Sequence, residues 1–539
     1  MDLPEELLNL ESSVSHRRSI YASTEFSEDE RSVPSTPKRQ TDDSSLDLVQ
    51  SPPNLPKSPA ILSAVSQKPI LETSSSQEFN RLRSASNQSL RFRFRDGKPK
   101  SRFADLNSKA HPTILDESTA FGSKFYGFFV AIWFGVALVG FDSLVHHTLT
   151  KGSIHEWDIA RIMRKDAVAV GLTDLAMYLA MYVSVAIQNM VKLNWIKWRS
   201  TGWVLQSVFE FAHLVFFIWY ANYKNYPWIG KVFLCLHSLV MLMKMHSYAF
   251  YNGYFWNISH ELQFSKNYKQ TNPKLDEKST ELVEKSIEFC QFELDKNGMF
   301  PSNLTVSNFF DYSMFPTVVY EVKYPRTAKV RWGYFSTKVC GIFGVILMMI
   351  IVAQNWLYPL AMQCIELRGQ PFIERAKQYP LIVLDLVPPF LLMYLLVFYL
   401  IWELILNAIA ELSRFGDRNF YGAWWNSVTW DEFARDWNSP VHKFLLRHVY
   451  HSSISALNLS KVNATVFTFL LSSIVHELVM FVIFRKFRGY LLALQMFQLP
   501  LVGISRSKFM RDQKILGNVI FWFGIATGPS LMCSLYLTF

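Results

Sequence analysis

From residue 124 onward the chain is a succession of long apolar runs, and no other feature restricts its fold as strongly. Nine runs can be counted, at 124–148, 166–191, 201–222, 228–251, 335–362, 381–411, 464–484, 490–505 and 516–539. A helix of about 20 apolar residues crosses the roughly 30 Å hydrocarbon core of a bilayer. Every run but 490–505 reaches that length, and the short one is expected to tilt or to re-enter. The expected fold class is an all-α polytopic membrane protein with about nine transmembrane helices. Composition agrees. Half of the 539 residues are hydrophobic and only 18% are charged, less than a soluble multidomain chain carries.

Lysine and arginine number 54 against 44 acidic residues, a net charge of +10. A nucleic-acid partner is not the reading, because the basic residues lie mostly between or before the apolar runs. The first thirty residues are acidic and polar, so no secretory signal is read there and targeting is expected to rest on the first membrane helix. Five cysteines (Cys235, Cys290, Cys340, Cys364, Cys533) show no metal-ligand spacing and read as small buried hydrophobes.

Residues 1–120 are rich in Ser, Pro and charged residues. They read as a disordered cytosolic tail that buries too little apolar surface to offset its ordering entropy. Thr36-Pro37, Ser51-Pro52 and Ser58-Pro59 fit proline-directed phosphorylation, although such dipeptides also arise by chance. Arg81 to Arg102 holds eight basic residues and one acid with Phe92, Phe94 and Phe103 interleaved or adjacent, a pattern suited to anionic lipid headgroups or to a solvated tail. With the tail cytosolic, Lys192, Lys197, Arg199, the 252–334 loop and the 412–463 segment fall on the cytosolic side, as the positive-inside rule requires. Arg485, Lys486 and Arg488 break simple alternation, and the sequence leaves that hairpin open. Within the loop, the aromatic stretch 308–327 is expected in the membrane interface, as is 412–463 with its mixture of Trp, Tyr, Arg and His. Sequons at Asn257, Asn303, Asn458 and Asn463 are expected to be unused.

Two polar anchors carry the candidate chemistry. His476 interrupts the apolar run Ala464–Phe484 together with Ser472, Ser473 and Glu477. Ionisable groups at membrane depth face protein or a water-filled cavity, and a histidine there is a neutral base near physiological pH. Ser472 and Ser473 share the face of His476, so a Ser–His nucleophile pair is conceivable, but serines bonded back to helix carbonyls are the simpler reading. Glu477, rotated by about 100° from His476, is expected to pair elsewhere. The second anchor, Asn438, precedes His476 by 38 positions and shares a helical face with His442.

Asn438 followed by a membrane-embedded His476 resembles the catalytic pair of the membrane-bound O-acyltransferase family. Phe420, Tyr421, Trp424, Trp425 and Asn426 in FYGAWWN resemble the FYxDWWN motif of its sterol and diacylglycerol branch, and FPTVVYEVKYPRT (Phe315 to Thr327) is similar to a second signature. From about Arg414 on, the chain resembles the fungal sterol acyltransferases. The resemblance spans roughly 120–539, which implies a domain at 121–539 with a buried reaction chamber. It implies His476 and Asn438 as the catalytic residues, and Trp437, His442, Tyr450, Lys461 and Ser472 as acyl-CoA-binding positions. Lys461 also makes sense alone, as a point charge for CoA phosphates at the cytosolic mouth. Ala423 departs from the motif, which usually has Asp there, so that carboxylate cannot be essential to the chemistry in this chain.

What the resemblance implies is a sterol O-acyltransferase of the endoplasmic reticulum membrane, with acyl-CoA as co-substrate, sterol drawn from the bilayer, no metal and no further cofactor. It also implies membrane lipids around it and a homo-oligomer of two or more subunits. A diacylglycerol acyltransferase is the near alternative. A transporter using Asp142, Asp174, Glu210, Lys244, Asp385, Glu403 and His476 as a polar path is another, and a non-catalytic sterol-binding protein a third.

Overall fold

The computed structural model describes residues 93–95, 97–102, 107–116, 126–274 and 276–539. Phosphorylation of the three Ser/Thr-Pro dipeptides and disorder of residues 1–92 concern positions outside these residues.

Among the described residues, eight helical stretches are long and apolar enough to cross a membrane: Tyr126–Thr150, Ala167–Lys192, Trp198–Tyr223, Trp228–Thr271, Trp332–Arg368, Phe372–Leu412, Lys461–Phe484 and Lys514–Thr538. The polytopic helical class expected from the sequence is therefore the fold. We name the helices used below α1 (Tyr126–Lys151), α2 (Ala167–Ala180), α3 (Val183–Lys192), α4 (Trp203–Tyr223), α5 (Trp228–Thr271) and α6 (Glu277–Asn297). Next come α7 (Val306–Met314), α8 (Trp332–Val352), α9 (Tyr358–Arg368), α10 (Phe372–Phe398), α11 (Leu406–Leu412) and α12 (Trp430–Asp436). The last six are α13 (Ser439–Phe444), α14 (His451–Ala456), α15 (Lys461–Phe484), α16 (Tyr490–Met496), α17 (Gln498–Ser505) and α18 (Lys514–Thr538). Several spans are continuous through π-helical turns, at Ala353–Leu357 and Tyr399–Ile405, which shift the side-chain register without ending the helix.

The long helix α5 packs against α2, α3, α4, α6 and α15, while α18 packs against α9, α10 and α16. Side-chain bonds define the two ends of the bundle. At the near end, where α1 and α8 begin, Asn518 at the start of α18 donates to Trp425 O (3.1 Å) and Ser427 O (2.9 Å), and Arg506 pairs with Asp431 at 3.0 Å. At the far end, Arg368, Arg375 and Arg488 donate to the last carbonyls of α18, those of Leu535, Tyr536 and Thr538. Cations suit this position because the final carbonyls of a helix lack intrahelical partners and carry its negative pole.

These bonds resolve the hairpin that the sequence left open. The run 490–505 starts beside Tyr536 and finishes beside Asp431, so it returns along α18 from the far end to the near end. It does so as α16 and α17, two short helices instead of one long span. Among the described residues this pair and the eight full-length spans thus give nine passages along the bundle, and Arg488 sits at the far end as a helix cap.

Two segments expected at the interface bury many of their aromatic rings in protein. In 308–327, Phe309, Tyr312, Phe315, Val318, Val319, Tyr320 and Val322 are buried in protein cores, where Phe309 and Tyr320 pack edge-to-face on Tyr248 and Phe315 stacks on Phe415. Lys244 of α5 fixes the segment by donating to Phe315 O (2.7 Å), Ser313 O (3.1 Å) and Tyr312 O (3.3 Å) at the end of α7. Segment 412–463 likewise folds inward, with Phe415, Phe420, Tyr421, Trp424 and Phe444 buried. Asn303, one of the four sequons, is buried and bonded to Asn252 and Tyr320, so its amide is closed to glycosylation.

Residues of the expected tail are also folded. Strands β1 (Phe94–Arg95) and β2 (Lys98–Pro99) form a small antiparallel hairpin, and residues 107–116 lie against the bundle near Gly416. Arg93 pairs with Glu261 and Phe94 packs on Phe289, so these members of the basic, aromatic stretch meet protein partners.

Candidate active site

Helix α15 carries His476. Ser460 caps its first turn by accepting from Asn463 N (3.2 Å), and Lys461 is exposed at the near end. His476 lies 15 residues further on, about 22 Å at 1.5 Å per residue, which places it deep in the span. Its Nδ1 is 2.8 Å from Ser472 O. A carbonyl oxygen only accepts, so Nδ1 carries the proton and Nε2 presents a lone pair. The ring keeps free surface on the protein. Ser473, at the neighbouring position, is buried and bonded back to Phe469 O (2.8 Å), which leaves it no nucleophilic role.

Glu477 points away from His476, as its rotation on the helix requires. Its carboxylate accepts from Tyr536 OH (2.6 Å), Gly489 N (2.7 Å), Leu492 N (3.2 Å) and Arg488 N (3.4 Å). Four donors satisfy a charge that would otherwise be costly in the membrane. They also fasten the turn that bears His476 to α16 and α18.

Asn438 is the N-cap of α13. Its Oδ1 accepts from Val441 N (3.2 Å), and its backbone carbonyl accepts from His442 N (2.9 Å). The cap uses the side-chain oxygen, and among the described residues the Nδ2 amide has no protein partner. Trp437 enters a stack with Tyr394 (4.6 Å), Trp424 (4.9 Å) and Trp402 (5.0 Å). Of the FYGAWWN motif, Phe420, Tyr421 and Trp424 are therefore core residues, Trp425 is half-buried and Asn426 is exposed. Trp425 acts through its carbonyl, which accepts from Asn518 and Trp522. Gly422 is obligatory: an added Cβ would lie 2.6 Å from Asp436 Cγ. Asp436 is a carboxyl pushed up by burial, beside the Ala423 that lacks one.

The two anchors lie on connected elements. Helix α13 runs into the π-helical turn Leu445–Tyr450, which packs against α15. Half-buried Tyr450 ends this turn, and half-buried Ser472 lies one helical turn before His476. Lys461 stands apart from them, at the mouth. The sequence reading missed the groups that seat the turn. His448 Nε2 lies 2.8 Å from Ser247 Oγ, which also accepts from Tyr320 N (2.8 Å), and Arg447 donates to Tyr320 O (3.0 Å) while lying over the Tyr251 ring at 4.3 Å. Their signal in the sequence was an arginine and histidines within an otherwise aromatic stretch. Burial, reinforced by Arg435 and Lys443, pushes the His442 imidazole down to about 4, and burial holds His448 well below the ordinary histidine value, so both are neutral at pH 7.

The intramembrane charges form no continuous path. Asp174 is bound to His237 (2.5 Å), Glu210 to His246 (3.0 Å) and Gln206 (2.8 Å), and Glu403 to Lys338 (2.5 Å) and Tyr421 (2.7 Å). Lys244 holds the end of α7, while Asp142 and Asp385 are exposed. Asp174, Glu210 and Glu403 thus each have local protein partners.

Comparison with known proteins fits this geometry. The model of MBOAT, the membrane-bound O-acyltransferase family, matches residues 167–538. The chain is 45% identical over 483 residues to sterol O-acyltransferase 2 of Candida albicans, spanning 81% of this chain and 79% of that one. It is 48% identical over 439 residues to sterol O-acyltransferase 2 of Saccharomyces cerevisiae, spanning 79% and 68%. Diacylglycerol O-acyltransferase 1 of Dictyostelium discoideum is 32% identical over 239 residues, 44% of this chain and 38% of that protein. A match across α2 to α18, with both anchors inside it, establishes that this chain belongs to the membrane-bound O-acyltransferase family.

Proposed function

We propose that the protein transfers a long-chain fatty acyl group from acyl-CoA to the 3β-hydroxyl of a sterol, forming a steryl ester for storage. The observation that carries the mechanism is the tautomer of His476: Nδ1 is engaged by Ser472 O, so Nε2 is the free base. Nε2 takes the hydroxyl proton as the sterol oxygen attacks the thioester carbon. The C–S bond then breaks, and the proton on Nε2 passes to the departing CoA sulfur, so the histidine is regenerated. Asn438 presents its Nδ2 amide to the developing oxyanion, a contribution of about 2.7–4 kcal/mol if it acts as an oxyanion-hole donor. Written this way, the step calls for no metal and no cofactor beyond the acyl-CoA itself.

The near end of the bundle is the cytosolic side of the endoplasmic reticulum membrane in this reading, and the tail is cytosolic. CoA enters there past Lys461, with Trp437, His442, Tyr450 and Ser472 along the acyl-CoA path. The sterol arrives laterally and the ester leaves into lipid, where both partition. The protein acts as a homo-oligomer.

The relatives named as sterol acyltransferases favour sterol over diacylglycerol, and a direct competition checks it. Purified protein is given labelled oleoyl-CoA with sterol and diacylglycerol in parallel. Steryl ester from wild type and none from His476→Ala of matched abundance is the expected result. Triacylglycerol as the main product would move the acceptor, and undiminished ester from the alanine variant would remove His476 from the reaction.

A further inference from the structure

The described residues of 93–102 and residues 107–116 were expected to belong to the tail, yet the body of the protein grips them with a row of carboxylates. Arg93 makes a two-pronged bond to Glu261, at 2.6 and 3.1 Å. Arg102 N and Ser101 Oγ donate to Glu293 at 2.8 and 3.3 Å. Ser108 gives both its N–H (2.7 Å) and its hydroxyl (2.9 Å) to Glu321. Thr113, 1% exposed, donates to Glu403 at 3.0 Å. Charge-assisted bonds of this kind are stronger than neutral ones, and a buried carboxylate that loses a donor pays a desolvation cost.

Two of these acids belong to the machinery of the site. Glu321 lies inside the 315–327 signature. Glu403 is the acceptor for Tyr421 of FYGAWWN, and Tyr421 OH is itself 3.2 Å from Thr113 Oγ1. Between them, His111 pairs with the backbone just before that motif: His111 N donates to Gly416 O (3.0 Å) and Arg418 N donates to His111 O (2.8 Å). Asp417, held in this pairing, accepts from Lys443 at 3.2 Å, and Lys443 lies on the helix that Asn438 caps. A continuous run of bonds thus leads from Ser108 and Thr113 to both signatures and to the asparagine's helix.

We propose that residues 107–116 are a strap that positions the reaction site, with Ser108 and Thr113 as positioning residues for the two signature segments and for α13. The proposal rests on the acyl-transfer reading above for its activity readout. Its physical basis is that both signatures are irregular backbone, which a helix ladder does not hold in place, so their geometry depends on side-chain ties such as these.

The test uses the full chain in detergent with Ser108→Ala/Thr113→Val, and Thr113→Ser as the conservative variant. Two quantities are read: tryptic cleavage after exposed Lys109, and steryl ester formation with kcat separated from KM. The double variant is expected to be cut faster and to lose roughly tenfold in kcat, with KM for oleoyl-CoA nearly unchanged; a 1 Å misplacement costs up to about 10²-fold. Thr113→Ser is expected to match wild type in both. Faster cleavage with undiminished kcat overturns the positioning role. Unchanged cleavage overturns the docking itself. If the double variant misfolds, Ser108→Ala alone, at a half-buried position away from Glu403, is read against the same outcomes. Should wild type form no ester at all, the acyl-transfer reading falls by itself, and the cleavage comparison still decides whether the strap is held.

Discussion

Asn438 has two uses that a single substitution can separate. Its oxygen caps α13, while its amide is the donor assigned to the oxyanion in the proposed mechanism, and aspartate caps as well as asparagine but cannot donate. Asn438→Asp is therefore expected to keep wild-type thermal stability and lose about 10²-fold or more in kcat. Asn438→Ala loses the donor and the cap, so it adds about 1 kcal/mol of destabilisation, visible as a lower inactivation temperature. His476→Ala should cost at least about 10²-fold in ester formation with protein levels unchanged, because the imidazole's Nδ1 bond is to Ser472 O of its own helix, a carbonyl that keeps its helical partner. Both anchors were legible as residues: a histidine amid apolar neighbours, and an asparagine ahead of an apolar, histidine-containing turn. The tautomer was not legible, since it depends on which ring nitrogen meets Ser472 O.

The segment 437–451 shows what an element adds to its residues. Burial, with Arg435 and Lys443 nearby, holds His442 down to about 4, and burial also holds His448 well below its ordinary value. Both are neutral in the fold and take up protons in the unfolded chain below its ordinary value of about 6.5. The unfolded state then binds more protons, so stability is complete above about pH 6.5 and falls as pH drops toward 4. For His442 the loss is on the order of 3 kcal/mol at most. The expected outcome is a thermal inactivation midpoint that declines between pH 6.5 and 4 in detergent, and a shallower decline in His442→Phe; a flat profile would contradict it. From sequence, this segment read as lying in the membrane interface because its aromatic and basic residues alternate with apolar ones. Its partners are Ser247, Tyr251 and Tyr320, far away in the chain, and only their placement turns the segment inward.

For the whole molecule, the passage of 490–505 sets the side on which each connection lies. Phe487 and Phe509 are both exposed and flank that run. With exposed Cys340 replaced, Phe487→Cys and Phe509→Cys should react with a membrane-impermeant maleimide from opposite faces of sealed vesicles. Labelling of both from one face would mean that 490–505 does not cross. The positive-inside rule alone gave the wrong emphasis here, because it counts Arg488 as a free charge whereas the fold uses it to cap α18.

What the sequence determined by itself was the set of long apolar segments and the family, together with the two polar anchors from which the proposed chemistry is argued. Apolar length and the cost of ionisable groups in hydrocarbon are local properties, written in consecutive residues. Tertiary structure alone decided which aromatic rings of 308–327 and 412–463 pack within protein, and that part of the expected tail is bolted to the body. It also decided which acid serves which donor. Those outcomes depend on pairs such as Ser108 with Glu321 and Thr113 with Glu403, whose members are hundreds of residues apart and carry no mark of each other in the chain.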